Sequence, residues 1–258
     1  MRTIEIDIQS SPVVATGPAP EVSNRYTFVP THEIVGGLNR AGWIFDGGTA
    51  RRTRKPERQQ YAPHVLRFSH PALPEIAEGT RPQAVLLNSH AGGSSFRVSL
   101  GAFRIACANG LVVQSADCGS IRLRHSGLSL SEVLGATDRL LEQAPAVIAR
   151  VRDWSRIPLT HAAQEAFAAR ALRLRWSEVA FRVPVENVLE VRRQADAGND
   201  LWTVFNRVQE AVVRGGIPVR SVEKQAPFRR ARAITSPLLQ LELNAGLWQI
   251  AEEVAFAS

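Results

Sequence analysis

Four arginines stand where apolar strand residues are expected. Arg97 and Arg104 interrupt the run Phe96-Arg-Val-Ser-Leu-Gly-Ala-Phe-Arg104, and Arg122 and Arg124 alternate with Ile121 and Leu123. A buried strand rarely carries arginine unless the side chain faces a groove or a partner. Alternation places Arg122 and Arg124 on the face opposite Ile121 and Leu123. A second basic cluster, Arg51, Arg52, Arg54 and Lys55, lies in Arg51-Arg-Thr-Arg-Lys-Pro-Glu-Arg58, whose composition is that of a loop or hairpin tip. The chemistry open to such groups is phosphate binding: arginine offers a delocalised charge and paired N–H donors to a phosphate oxygen. The residues expected to bind nucleic acid are therefore Arg51, Arg52, Arg54, Lys55, Arg97, Arg104, Arg122 and Arg124.

Other chemistries find less support. His90, Cys107, Cys118 and His125 include the ligand types zinc prefers, but no pair has the short spacing of a structural knuckle, so no metal is expected. His32-Glu33 lacks the second histidine of a zincin helix. In Gly92-Gly-Ser-Ser95 the serine lacks the flanking glycines of a nucleophile elbow. There is no glycine-rich loop followed by Lys-Ser or Lys-Thr, which argues against ATP-driven activity and leaves no cofactor implied. A hydrolase using His90 or His125 as base ranks last, since neither is accompanied by an activated nucleophile. The expectation is a protein that is not an enzyme.

The elements that must position these residues follow from composition and period. The chain has 258 residues, 45% of them hydrophobic, and a formal net charge of +7 in which Lys55 and Lys224 are the only lysines. That charge favours a polyanionic partner, although arginine-rich usage by itself raises it too. Residues 1–24, rich in Ser, Pro and Gly, read as a flexible N-terminal tail, although the alternation of Ile4, Ile6 and Ile8 permits a strand. Thr31 suits a helix N-cap, with the helix running to about Ala41 and ending at Gly42. Strand-like segments follow, and Asn88 to Val113, with turns at His90–Ser94 and Ala108-Asn-Gly110, reads as a strongly curved antiparallel meander. From Ser129 the period becomes helical: Leu130 to Val151 forms one long helix or two broken near Pro145, and Leu159–Leu174, Val185–Arg193, Leu201–Arg214 and Pro237–Ala255 read as further helices. Asn88, Asn109 and Asn206 suit structural roles, and Trp176, Trp202 and Trp248 suit core packing. The fold class is α+β: a β-meander and helix core domain at 25–155, then a helical C-terminal region at 156–258.

Asn88-Ser-His90, Gly101-Ala-Phe-Arg-Ile-Ala-Cys-Ala-Asn-Gly-Leu-Val-Val113, Leu201-Trp-Thr-Val-Phe-Asn206 and Asn244-Ala-Gly-Leu-Trp248, in that order, resemble the phage/plasmid-like family catalogued as domain of unknown function 932. The resemblance covers most of the chain and implies a cytoplasmic protein carried by mobile elements. Tyr26-Thr-Phe-Val-Pro-Thr-His-Glu-Ile-Val-Gly-Gly-Leu-Asn-Arg-Ala-Gly-Trp43 is similar to the opening of the Rad fifty-two type of single-strand annealing protein. That similarity covers about a third of the chain. It implies a homo-oligomer, with a ring as one form, that seats single-stranded DNA in a basic groove between the meander and a helix.

Together these readings give an ATP-independent protein that binds and anneals single-stranded DNA in phage or plasmid recombination. The alternative is a non-enzymatic structural or regulatory protein of a mobile element that binds protein partners. No run reaches the length of a spanning helix, and Met1 to Ser11 lacks the apolar core of a signal peptide, so the expectation is a cytoplasmic protein with no membrane partner.

Overall fold

The computed structural model describes residues 3–76, 80–92, 95–104, 110–113, 121–223 and 227–257. Cys107, Asn109, Cys118 and Lys224 lie outside the described residues, and with them the readings made on them. The chain divides into two units, residues 1–147 with 235–237 and residues 148–234 with 238–258. The fold class is α+β, as the change of period at Ser129 predicts.

The first unit is built on an open antiparallel sheet. Strands β1 (Thr3–Ile6), β2 (Ile44–Arg51), β3 (His64–Ser69), β4 (Thr80–Asn88), β5 (Phe96–Arg104) and β6 (Gly110–Val113) each bond to the next, and β7 (Ile121–Leu123) also pairs with β5. The alternation that sequence patterning requires is clear in β3: His64, Leu66 and Phe68 are buried, while Val65, Arg67 and Ser69 are half-buried. Helix α1 (Thr31–Arg40) buries Ile34, Val35 and Leu38 in this unit. One glycine decides the close approach of two strands. A Cβ on Gly48 of β2 would stand 2.4 Å from the Val65 carbonyl oxygen, so no larger residue fits without moving the backbone of β3.

The N-terminal segment is part of this unit and not a tail. Thr3–Ile6 pairs with β2 from Thr3↔Arg51 to Ile6↔Gly48, and Ile6, Val13, Ala15 and Ala19 are buried. The Ala19 N–H donates to the His90 carbonyl at 2.8 Å, and the His32 N–H to that of Val13 at 3.1 Å. The Ser, Pro and Gly content misleads here because small residues, placed on backbone partners, bury well without a large apolar count. Thr31 also departs from its expected role: it is the first residue of α1 after Pro30 and caps nothing, its hydroxyl being engaged elsewhere.

Helix α2 (Leu130–Trp154) runs unbroken through Pro145, and the division into units falls at 147/148, inside it, in place of the expected 155/156. In the second unit, α3 (His161–Arg173), α4 (Leu201–Arg214) and α5 (Pro237–Ala257) accompany a small sheet of β8 (Phe181–Arg182), β9 (Pro218–Ser221) and β10 (Arg229–Arg230) in the order β10-β9-β8. Asp200 caps α4 by accepting from the Thr203 N–H at 2.9 Å, and Gly215 ends it at φ 69°. Trp154, Phe167, Phe205 and Trp248 form an aromatic core, with Trp154 and Trp248 ring centroids 4.3 Å apart. Asn206 bonds the Trp202 carbonyl within α4. Two expectations fail in this unit. Val185–Arg193 forms only a 3-10 turn at Val185–Asn187, one turn being enough to bury Val188. Trp176 is half-buried, its ring covered by the Arg175 guanidinium at 4.3 Å, whereas Trp202 and Trp248 are core residues.

Candidate nucleic-acid interface

The connection from β2 to β3 is a basic turn held in shape by uncharged groups. The Thr53 N–H donates to Gln59 Oε1 at 2.9 Å, the Thr53 hydroxyl to the Lys55 carbonyl at 2.7 Å, and Gln59 Nε2 to the Arg51 carbonyl at 2.8 Å. A 3-10 helix at Pro56–Tyr61 returns the chain to β3. Because Thr53 and Gln59 brace the turn, the charged side chains are not needed for it and project from it. Arg51, Arg52, Arg54, Lys55, Arg58 and Tyr61 line a cleft of about 920 Å³. Arg58 is paired with Glu21, but Arg51, Arg52, Arg54 and Lys55 form no ion pair with any described acid.

The meander brings most of the other predicted residues to the same end of the sheet. Register runs Ala50↔His64↔Asn88 across β2, β3 and β4, and Phe96↔Leu123 across β5 and β7. The end where β2, β4 and β7 finish and β3 and β5 begin therefore carries Arg51 after Ala50, Arg97 after Phe96, and Arg122 and Arg124 on either side of Leu123. Arg97 and Arg122 are directly opposite partners, and Arg122 donates from Nε to the Ser95 hydroxyl at 2.8 Å. At a strand spacing of about 4.8 Å, the five strands from β2 to β7 make this basic end roughly 19 Å wide. Arg104 is the exception. It pairs with Thr80 at the far end of β5, about 23 Å from Arg97 along the strand and at a position of opposite parity. Sequence reading passed over two basic residues: Arg58, which lines the cleft, and Arg67, which shares the Arg97 face through the register Arg67↔Val85↔Ser99. The alternation of β3 around Arg67 was the available signal.

Behind the cleft, Ala62 and Pro63 precede His64 and Ala91 follows His90, and these two histidines belong to a buried network. His64 Nδ1 lies 2.9 Å from the Ala62 carbonyl oxygen, which can only accept, so Nδ1 carries the proton. With the ring neutral, its Nε2 accepts from the Thr31 hydroxyl at 3.0 Å. Thr31 then accepts from Asn88 Nδ2 at 3.0 Å and from His90 Nε2 at 3.1 Å, the latter N–H being shared with the Pro12 carbonyl at 3.1 Å. Every proton in the network is thereby assigned, and His90 Nδ1 keeps a lone pair that finds no hydrogen-bond partner among the described residues. Burial keeps both rings neutral, pushing His64 down to about 4 and His90 down to about 3, the latter also because a proton on His90 would be repelled by one on His64. The Thr31–His64 pair has a carbonyl where a catalytic relay has a carboxylate, and Thr31 is 1% exposed. The network ties the N-terminal segment, α1, β3 and β4 together and so fixes the floor of the cleft.

His125 is stacked on Tyr26, with ring centroids 4.5 Å apart, and burial raises the Tyr26 phenol to about 12. Among the described residues no three His, Cys, Asp or Glu side chains gather where a metal ion could be held. Nor, among the same residues, is any helix long and apolar enough to cross a membrane.

Fold and site together define an α+β protein with an open antiparallel meander that is strongly basic at one end. The chain belongs to the family described as Domain of unknown function (DUF932), whose model matches residues 20–235. It is 34% identical over 238 residues to the UPF0380 protein YafZ of Escherichia coli (strain K12), covering 89% of this chain and 82% of the relative. The UPF0380 protein YfjQ of the same organism matches with the same identity and coverage. Neither name states an activity, and no solved structure matches the chain.

Proposed function

We propose that the first unit binds single-stranded DNA across the basic end of its meander and that the protein anneals strands without ATP and without enzymatic chemistry, acting in mobile-element recombination. The observation that carries this reading is the gathering of Arg51, Arg52, Arg54, Lys55, Arg97, Arg122 and Arg124 at one end of one sheet. Phosphates held on arginines leave base edges exposed to a second strand, which annealing requires, and Tyr61 in the cleft offers a ring for stacking. The resemblance of Tyr26–Trp43 to the opening of the Rad fifty-two type is a further ground for this reading. The sheet is open, and strand edges invite pairing with a second copy, so assembly into a homo-oligomer through the first unit belongs to the same proposal.

The test is fluorescence anisotropy of a labelled oligodeoxythymidylate over a salt series. The expected result is an affinity that falls steeply with salt, each lost phosphate contact flattening the logarithmic slope by about 0.7. R52Q/R54Q/K55Q and R97Q/R122Q each flatten it, whereas R104Q leaves binding unchanged. A salt-independent signal, or no binding, refutes the proposal and favours the protein-partner reading.

A further inference from the structure

The second unit carries its own basic face. In the small sheet, Arg182 of β8 is directly opposite Arg220 of β9, and Arg230 of β10 is opposite Pro218. Since paired residues share a face and residues two apart share a face, Arg182, Arg220 and Arg230 project from the same side. Phe228, just before β10, joins them: the Arg220 guanidinium lies 5.0 Å from its ring centroid. All four side chains are exposed, Phe228 at 47%. Among the described residues these arginines meet only neutral partners. Arg182 donates to the carbonyls of Glu178 and Phe181, Arg230 donates to that of Gly216 at 2.8 Å, and none of the three pairs with a described acid. Within residues 214–232 the chain has six basic residues against one acid, Glu223.

Like charges directly across a strand pair destabilise a sheet, and an exposed phenylalanine gains nothing from water. Both costs disappear when an anion bridges the arginines and a planar apolar group covers the ring. A single-stranded nucleic acid supplies the two at once, phosphate and base alternating along one chain. We propose that the Arg182, Arg220, Phe228 and Arg230 face is a second nucleic-acid contact, with phosphates on the arginines and a base stacked on Phe228. The inference rests on the reading above for its ligand class, but on different residues in a different unit.

The experiment uses the full chain and the same labelled oligodeoxythymidylate, with R220Q/R230Q and F228A set beside the cleft variant R52Q/R54Q/K55Q, and circular dichroism on each. Loss of base stacking in F228A weakens binding by about tenfold, and R220Q/R230Q flattens the salt slope by about 1.4. Ultraviolet crosslinking of unaltered protein to a bromodeoxyuridine oligonucleotide places the adduct on the peptide containing Phe228, a result that does not depend on any variant folding. Wild-type affinity in both variants of the second unit, with no adduct on that peptide, overturns the inference. If the cleft variant alone loses binding in that experiment, the proposed function survives without it. Absence of binding by the unaltered protein overturns both. Vesicles rich in phosphatidylserine serve as a competitor, and preference for them over the oligonucleotide also overturns the nucleic-acid assignment.

Discussion

Replacing Thr31 by valine exchanges one hydroxyl for a methyl group of nearly the same size and removes the atom on which three side chains converge. His64 loses the donor to Nε2 and Asn88 loses the acceptor for Nδ2, while the His90 N–H keeps the Pro12 carbonyl. Leaving a buried polar group without a partner costs about 1–3 kcal/mol, so two such groups give roughly 2–6 kcal/mol, with about 3 kcal/mol as the working value once the hydroxyl's own burial is removed. For a unit of this size that lowers Tm by about 6–12 °C. Thr31→Ser keeps the hydroxyl and deletes a methyl, for which about 1 kcal/mol is expected. Urea unfolding with hydrogen exchange read separately on peptides covering β3 and β4 reports the affected unit directly. If T31V is no less stable than T31S, the hydroxyl does not organise the network and the proton assignment is wrong.

The same network makes the first unit sensitive to acid. A histidine of folded pKa about 4 or 3 binds its proton more weakly than the unfolded side chain at 6.5. Its contribution is thus complete above 6.5 and is lost as pH falls from there towards 4. At pH 5 the unfolded state gains about 2 kcal/mol per histidine, about 4 kcal/mol for the pair, and a urea midpoint equal at pH 7.5 and pH 5 would contradict this. Deleting residues 1–24 removes the buried Ile6 and Val13, whose burial is worth about 3–6 kcal/mol together, so thermal unfolding of the truncated chain should show a loss of at least 6 °C.

Much of the fold was legible where local chemistry is decisive. The apolar alternation of Val98, Leu100 and their neighbours, and the stop at Gly215-Gly216, depend on residues a few positions apart, and the corresponding β5 and α4 follow them closely. The N-terminal segment was not legible in the same way. Its buried Val13 and Ala19 owe their positions to the backbones of His32 and His90, which lie far along the chain. Thr31 illustrates the same limit: a threonine before a helical pattern suits a cap, and only the proximity of His64 and His90 gives its hydroxyl better partners.

For the candidate site, residue type was local information and arrangement was not. Sequence by itself determined that this chain is rich in arginine, that Arg122 and Arg124 avoid the apolar face of their strand, and that Arg51 to Lys55 occupy a turn. The tertiary structure decided which of these charges are neighbours. Arg51 and Arg97 lie at the same sheet end because the register of β2 through β5 sets the end of one strand level with the start of another, and Arg104, on the same strand as Arg97, is carried away by the 3.3 Å rise of each residue. Charge acts through space, so the strength of a phosphate site depends on distances that pairing sets and spacing along the chain does not encode.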